Sequence, residues 1–186
     1  HLADPRARHV LQKVSEMSSW HSRGDAGTGI GYGMAYARYK NKAGYCALVA
    51  QVEVSERVKV LKVWACVDAG KVVHPDGLHN QIEGGILQAI SWSLLESVQW
   101  NEQGISSHDW ENYPILSVLD VPQLDIHLVD DPSTPSLGSG EVATGPCAGA
   151  LGNAVAHALG VRARHLPLSP ENLILAMDQS HEPIPS

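Results

Sequence analysis

Phenylalanine is absent from this 186-residue chain, and aromatic residues make up only 5% of it, so any core must rest on Val, Leu, Ile and Ala with the five Trp. No run of about 18 apolar residues occurs, which excludes a membrane-spanning helix, and no secretory signal pattern opens the chain. The first residue is His1, not Met, as expected of a processed or partial polypeptide. Cys46, Cys66 and Cys147 are too few and too far apart for a disulfide framework or a CxxC site. Basic residues are also scarce: 13 Lys and Arg against 20 Asp and Glu give a net charge of -7, with no long basic cluster, so nucleic acid is not an expected partner. Ten histidines are present, and His74 and His79 lie five apart, yet HExxH is missing and no protein-ligated metal is expected. GxSxG is missing as well, which argues against a serine hydrolase.

What remains is 44% hydrophobic, enough for the core of one domain. "DPRARHVLQKVSEMSSW" places Val10, Leu11, Val14 and Met17 at helical spacing behind Asp4 and Pro5 and predicts a helix ending near Ser19. In "GTGIGYGMAYARYK" the glycines alternate, which does not match GxGxxG. The pattern predicts a strand with one bare face against which a backbone or ligand packs. "GYCALVAQVEVSERVKVLKVWACVDAG" predicts a hairpin turning at Glu56 and pairing Glu53 with Lys59. That register puts Leu48 beside Trp64 and Cys46 beside Cys66 as a buried, reduced pair. "DGLHNQIEGGILQAISWSLLE" predicts a long helix with Leu78, Ile82, Ile86, Ile90 and Leu94 on one side, and its adjacent Gly84 and Gly85 suggest close packing. "QLDIHLVDD" predicts a strand showing Leu124, Ile126 and Leu128 on one face. Strands grouped around a short hairpin argue for an α+β domain with a mostly antiparallel or mixed sheet and packed helices.

The stretch "SLGSGEVATGPCAGALGNAV" raises the question of function. Glu141 follows Gly138 and Gly140 and precedes a helix for which Thr144 offers an N-cap and Pro146 a first residue. On these residues alone, Glu141 is either a solvated or capping acid or a positioned catalytic carboxylate.

"VDAGKVVHPDGLHNQIEGGILQAISWSL", followed some fifty residues later by "GSGE", resembles the molybdenum-binding subunit of the xanthine oxidase and aldehyde oxidase family. Within that family it resembles the large subunits of the isoquinoline 1-oxidoreductase type. The family's D-x-G-x-x-x-N-P turn, Q-[IV]-[ED]-G-[GA] helix and G-x-G-E loop read here as Asp68 to Pro75, Gln81 to Gly85 and Gly138 to Glu141. His74 stands where the family usually has Asn, and "SGEVATGP" replaces a commoner "VGEPGTPP". The resemblance implies a molybdopterin cofactor, in its cytosine dinucleotide form, with the metal held through the pterin. It implies hydroxylation of an aldehyde or N-heterocycle with water-derived oxygen, Glu141 serving as general base at a molybdenum-bound hydroxyl and hydride passing to the sulfido ligand. Gln81, Gly84, Gly138 and Gly140 would bind the cofactor. Family subunits are several times longer, so the chain is expected to be the C-terminal portion of one, partnered with the rest of that large chain and with a small iron–sulfur subunit. The expected division is 1–26 as a helical segment and linker, 27–178 as the molybdopterin-binding domain and 179–186 as a disordered tail. The alternative is a noncatalytic scaffold of the same fold.

Overall fold

A computed structural model describes residues 2–180. The chain runs α1 (Pro5–Met17), β1 (Ile30–Arg38), β2 (Tyr45–Val54), β3 (Val58–Asp68), α2 (Pro75–Leu94), a small hairpin of β4 (Trp100–Asn101) and β5 (Gly104–Ile105), β6 (Gln123–Val129), α3 (Thr144–Leu159) and α4 (Pro170–Ser180). The main sheet has the order β1-β2-β3-β6, antiparallel except that β6 runs parallel to β3, so it is mixed. Of the expected tail, residues 179 and 180 end α4 and residues 181–186 lie outside the described part.

Each face of the sheet carries its own core. On one, Ala7, Val10 and Val14 of α1 pack on Tyr45, Ala47, Val49, Trp64 and Cys66. On the other, Leu48, Ala50, Val63, Ala65 and Val67 meet Ile82, Ile86 and Ile90 of α2 and Leu151 and Val155 of α3. Burial on both faces explains why β2 reads as nearly continuous apolar sequence. Asp4 caps α1, its Oδ1 accepting from the Arg6 and Ala7 amides at 3.0 and 3.4 Å.

The bare strand face is real, and α3 covers it. A Cβ on Gly31 would collide with the Ala154 carbonyl and one on Gly33 with the Ala150 carbonyl, so α3 lies on β1 at backbone distance. Gly149 matches them from the helix, where a Cβ would sit 3.2 Å from that of Ala35.

The hairpin departs from the expected register. Glu53 does face Lys59 and Val52 faces Val60, but a β-bulge follows and Gln51 faces Lys62, leaving Leu61 as the extra residue. Beyond it every pairing moves by one: Leu48 faces Ala65, Val49 faces Trp64, Cys46 faces Val67 and Ala47 faces Cys66. Cys46 and Cys66 are therefore not a side-by-side pair but belong to the cores on opposite faces. A one-residue slip exchanges faces, which is the whole cause of the difference. Helix α4 is also absent from the sequence-based expectation, although Ser169 and Pro170 form an ordinary helix start, with Ser169 Oγ accepting from the Asn172 amide at 3.4 Å.

Candidate functional site

One end of the sheet, where β1 finishes, β2 begins and β3 finishes, is built almost entirely from hydrogen bonds. Asp68, the last residue of β3, is buried and accepts from Arg6 Nε at 2.7 Å, from Arg6 Nη2, and from the Gly70 amide at 3.0 Å. Bidentate pairing holds the Arg6 guanidinium above its ordinary value and ties α1 to the strand end. Gly70 has φ of +67°, and a Cβ there would collide with the Pro135 carbonyl, so this turn admits glycine alone. The loop that leaves β6 is laid back across this turn. Leu137 N donates to Ala69 O at 2.8 Å, Ser136 Oγ to Lys71 O at 2.6 Å, and Gly44 N to Gly138 O at 3.0 Å.

These bonds deliver residues 138–141 to the first turns of α2 and α3. Gln81 Nε2 donates to Gly140 O at 2.6 Å, and Tyr39 Oη donates to Glu141 Oε2 at 3.0 Å. Thr144 donates to the Glu141 carbonyl through its amide, at 3.3 Å, and its hydroxyl, at 2.9 Å. Because that turn already closes at Glu141, α3 begins at Thr144, with Ala143 at the cap position and Pro146 third, two residues earlier than expected. The cap position carries no side-chain bond, so the Glu141 carboxylate does not serve as the N-cap. It is exposed and lines an open concavity of about 280 Å³ with Arg38, Tyr39, Lys40 and Pro146. Lys40 and Asn41 both adopt positive φ, 49° and 58°, in the short turn that presents Tyr39.

Of the expected site residues, Gln81, Gly140 and Glu141 meet directly, and Gly138 anchors the same loop. Gly84 lies about one helical turn beyond Gln81, and no side-chain hydrogen bond joins it to the group. The packing reason expected for the paired glycines is not what the structure shows. A Cβ on Gly84 would meet nothing within 4 Å, and one on Gly85 would make ordinary contacts of 3.7 and 3.8 Å with Thr144 and Ala143.

Residues 6–122 match the profile of the molybdopterin cofactor-binding domain. The chain belongs to that family, the molybdenum-binding subunits of the xanthine oxidase type. A nicotinate dehydrogenase subunit of Pseudomonas putida is 36% identical over 95% of this chain, and the beta subunit of isoquinoline 1-oxidoreductase from Brevundimonas diminuta is 36% identical over 89%. The matched stretch spans only 16% and 21% of those proteins. Among solved structures, quinoline 2-oxidoreductase from Pseudomonas putida 86 superposes with a TM-score of 0.65 at 29% identity, covering 75% of this chain and 19% of that one.

Membership sharpens two local observations. His74, at the position where the resemblance expects Asn, caps α2 by accepting the Gly77 amide at Nδ1, 2.7 Å away, the bond a short amide side chain would make. A Cβ on Gly77 would stand 2.7 Å from that same nitrogen, so the histidine cap and the glycine go together. Tyr39 is the site residue that sequence reasoning missed, for nothing in "ARYKN" signals that a strand end 102 residues away in sequence reaches Glu141.

The donor set fits a large polar heterocyclic cofactor. Gln81 offers an amide able both to give and to accept, Gly138 and Gly140 leave backbone unshielded, with no atom nearer than 3.8 Å to an added Cβ, and Arg38 and Lys40 add positive charge.

Proposed function

We propose that this chain is the C-terminal part of a molybdenum hydroxylase large subunit, and that Glu141 is its general base. The observation that carries the reading is the exposed carboxylate, unused by the helix beside it and fixed by Tyr39 on one oxygen. An acid that capped α3 would have both its purpose and its geometry explained locally. This one is bonded at Oε2, and its Oε1 has no hydrogen bond among the described residues, so that oxygen is available to accept a proton.

When bound, the molybdopterin cofactor supplies the two-electron oxidising centre and the water-derived oxygen for hydroxylation. The chain's own residues do the rest. Gln81 fixes the loop through Gly140 O and reads the heterocycle edge with the remainder of its amide. Gly138, Gly140 and Gly84 let the cofactor approach backbone, which accounts for the open space at Gly84 that internal packing does not. Glu141 Oε1 takes the proton released as the substrate carbon is attacked. Arg6 and Asp68 act at one remove, holding the turn on which the loop rests.

The substrate class is an electron-poor carbon in an aldehyde or N-heterocycle. The names of nicotinate dehydrogenase, isoquinoline 1-oxidoreductase and quinoline 2-oxidoreductase favour the heterocycle. The cofactor is assigned its cytosine dinucleotide form, and the iron–sulfur clusters a separate small subunit. Metal analysis and released-pterin analysis on the intact enzyme, wild type beside Glu141→Gln, test the reading. Equal loading with most turnover lost supports it. Equal loading with full turnover returns Glu141 to an ordinary loop acid, and absence of cofactor from the wild type supports the noncatalytic scaffold.

A further inference from the structure

The opposite end of the molecule exposes apolar side chains that no described residue covers. Between α2 and β6 the chain makes an excursion, residues 95–122, bearing Trp100 and Trp110, 76% and 77% exposed, with Val118 and Leu119 at 83% and 91%. Ile105 and Ile115 are exposed as well. Scattered single apolar residues on a surface need no explanation, but this many on one stretch do.

The excursion is not loose. Leu116 N donates to Ser91 Oγ at 2.9 Å, Tyr113 Oη to Glu96 Oε2 at 2.9 Å, and Arg57 pairs with Asp120 at 2.6 Å. Ser117 caps the turn carrying Val118 and Leu119, its hydroxyl accepting from the Leu119 amide at 3.3 Å. Two aliphatic side chains are therefore pinned outward. Beside them a largely apolar cavity of about 210 Å³ opens between Val58, Ile90, Leu94, Leu116 and Leu168, with Arg57, Lys59 and Asp120 also in its wall. That is room for one large apolar side chain of a partner, the arrangement of a central anchor with a surrounding contact surface.

Charge narrows the occupant. Residues 97–121 contain Glu102, Asp109, Glu111 and Asp120 and neither Lys nor Arg; Arg57, from outside that stretch, pairs with Asp120, which leaves three acids, with Asp109 beside His108. Backbone and side-chain donation from Asn112 holds the Asp109 carboxyl below its ordinary range, so it is charged. A second copy would bring acid against acid in a chain of net charge -7, and an anionic lipid surface would be repelled. We infer that this surface docks a further part of the same large subunit, one that presents apolar anchors ringed by Lys or Arg. The relatives carry about four-fifths of their length beyond the matched stretch, which supplies such an occupant. The inference rests on the proposed reading that the chain is one stretch of a larger subunit, but not on the role of Glu141.

Hydrogen exchange read by mass spectrometry, on the 186-residue chain and on the intact subunit, tests it. The mass of the intact subunit comes first: a polypeptide no longer than this chain refutes the larger-subunit reading itself. With a longer polypeptide, amides in 98–121 should gain about tenfold or more protection over the isolated chain. Unchanged protection there overturns the docking surface while leaving the larger subunit standing. Val118→Asp with Leu119→Asp should leave the melting of the isolated chain unchanged, since both side chains are exposed, and should remove the added protection in the intact subunit. Leu2→Asp, on the α1 side, should not. Light scattering supplies the remaining arm: an isolated chain that dimerises, and loses dimerisation with the same two substitutions, makes the occupant a second copy and overturns the assignment.

Discussion

Where β1 ends and β2 begins, the surface consists of glycines, turns and hydrogen bonds that hold Gln81, Gly140 and Glu141 in one group; roughly 30 Å away along the ten-residue β2, beyond the hairpin tip, it consists of tryptophan, valine and leucine with acidic neighbours. Both ends are exposed and both are pinned, so exposure alone says little. The kind of pinning separates them. At the first end the bonds terminate on the groups that would act, leaving one carboxylate oxygen and part of one amide for another molecule. At the second end the bonds fix backbone and leave whole apolar side chains outward, which suits burial by a partner surface. The sheet and the two helices between them give each end a rigid base.

That shared base is where a single substitution should do the most damage. Gly33→Ala puts a methyl group into the Ala150 carbonyl, so α3 must move off β1 and with it the end of the loop that carries Glu141. We expect a loss of about 3 kcal/mol or more by thermal or chemical unfolding. A near-neutral result would mean that α3 does not lie at backbone distance.

Alkaline pH probes the same base. Burial pushes the Cys66 and Cys147 thiols up to about 12, whereas in the unfolded chain they ionise at about 8.5. Their contribution is complete below the unfolded value. From about pH 9 towards 12 the unfolded chain releases protons that the folded chain keeps, so stability falls as pH rises. Unfolding curves taken across that range should show the decline, and replacing the two thiols with alanine should lessen it, the Cys46 thiol, which burial also pushes up, keeping part of it.

The α2 cap gives a smaller and more local effect. His74→Ala should cost about 1 kcal/mol, and His74→Asn should restore most of it, because the short amide accepts the same Gly77 N–H. Equal melting of wild type and His74→Ala would mean that the imidazole does not cap the helix.

The smallest effect on stability belongs to Tyr39. Tyr39→Phe should change unfolding by no more than about 0.5 kcal/mol, as its bond is exposed. Yet in the intact enzyme it should lower kcat about fivefold to tenfold with KM unmoved, since only the orientation of the carboxylate is lost. A change in KM alone would make Tyr39 a substrate contact and not a positioning residue.

Local patterns carried most of this fold into view. Alternating glycines reported the bare face of β1, the four-residue spacing from Leu78 to Leu94 reported α2, and the GxGE loop reported the carboxylate. The parallel pairing of β6 with β3 was not legible, because no short-range pattern distinguishes it from an antiparallel neighbour. The bulge did leave a trace: Lys59 and Lys62, three apart in a strand of period two, cannot share a face, and Leu61 between them is the inserted residue. Gln81 and Glu141 were visible as motif residues, but their meeting through Gly140 depends on Gly70, Leu137 and Gly44, contacts made across distant parts of the chain. Tyr39 lay wholly outside what pattern could show.

On the proposed reading the two ends of the molecule divide two tasks, proton transfer at one and assembly at the other. Turnover and exchange protection, measured side by side in the intact subunit for Glu141→Gln and for the Val118→Asp, Leu119→Asp pair, put that division to the test. Glu141→Gln should lower turnover by about 10² to 10⁴ with cofactor loading and protection at 98–121 unchanged, while the aspartate pair should abolish that protection. Near wild-type turnover in cofactor-loaded Glu141→Gln would contradict it.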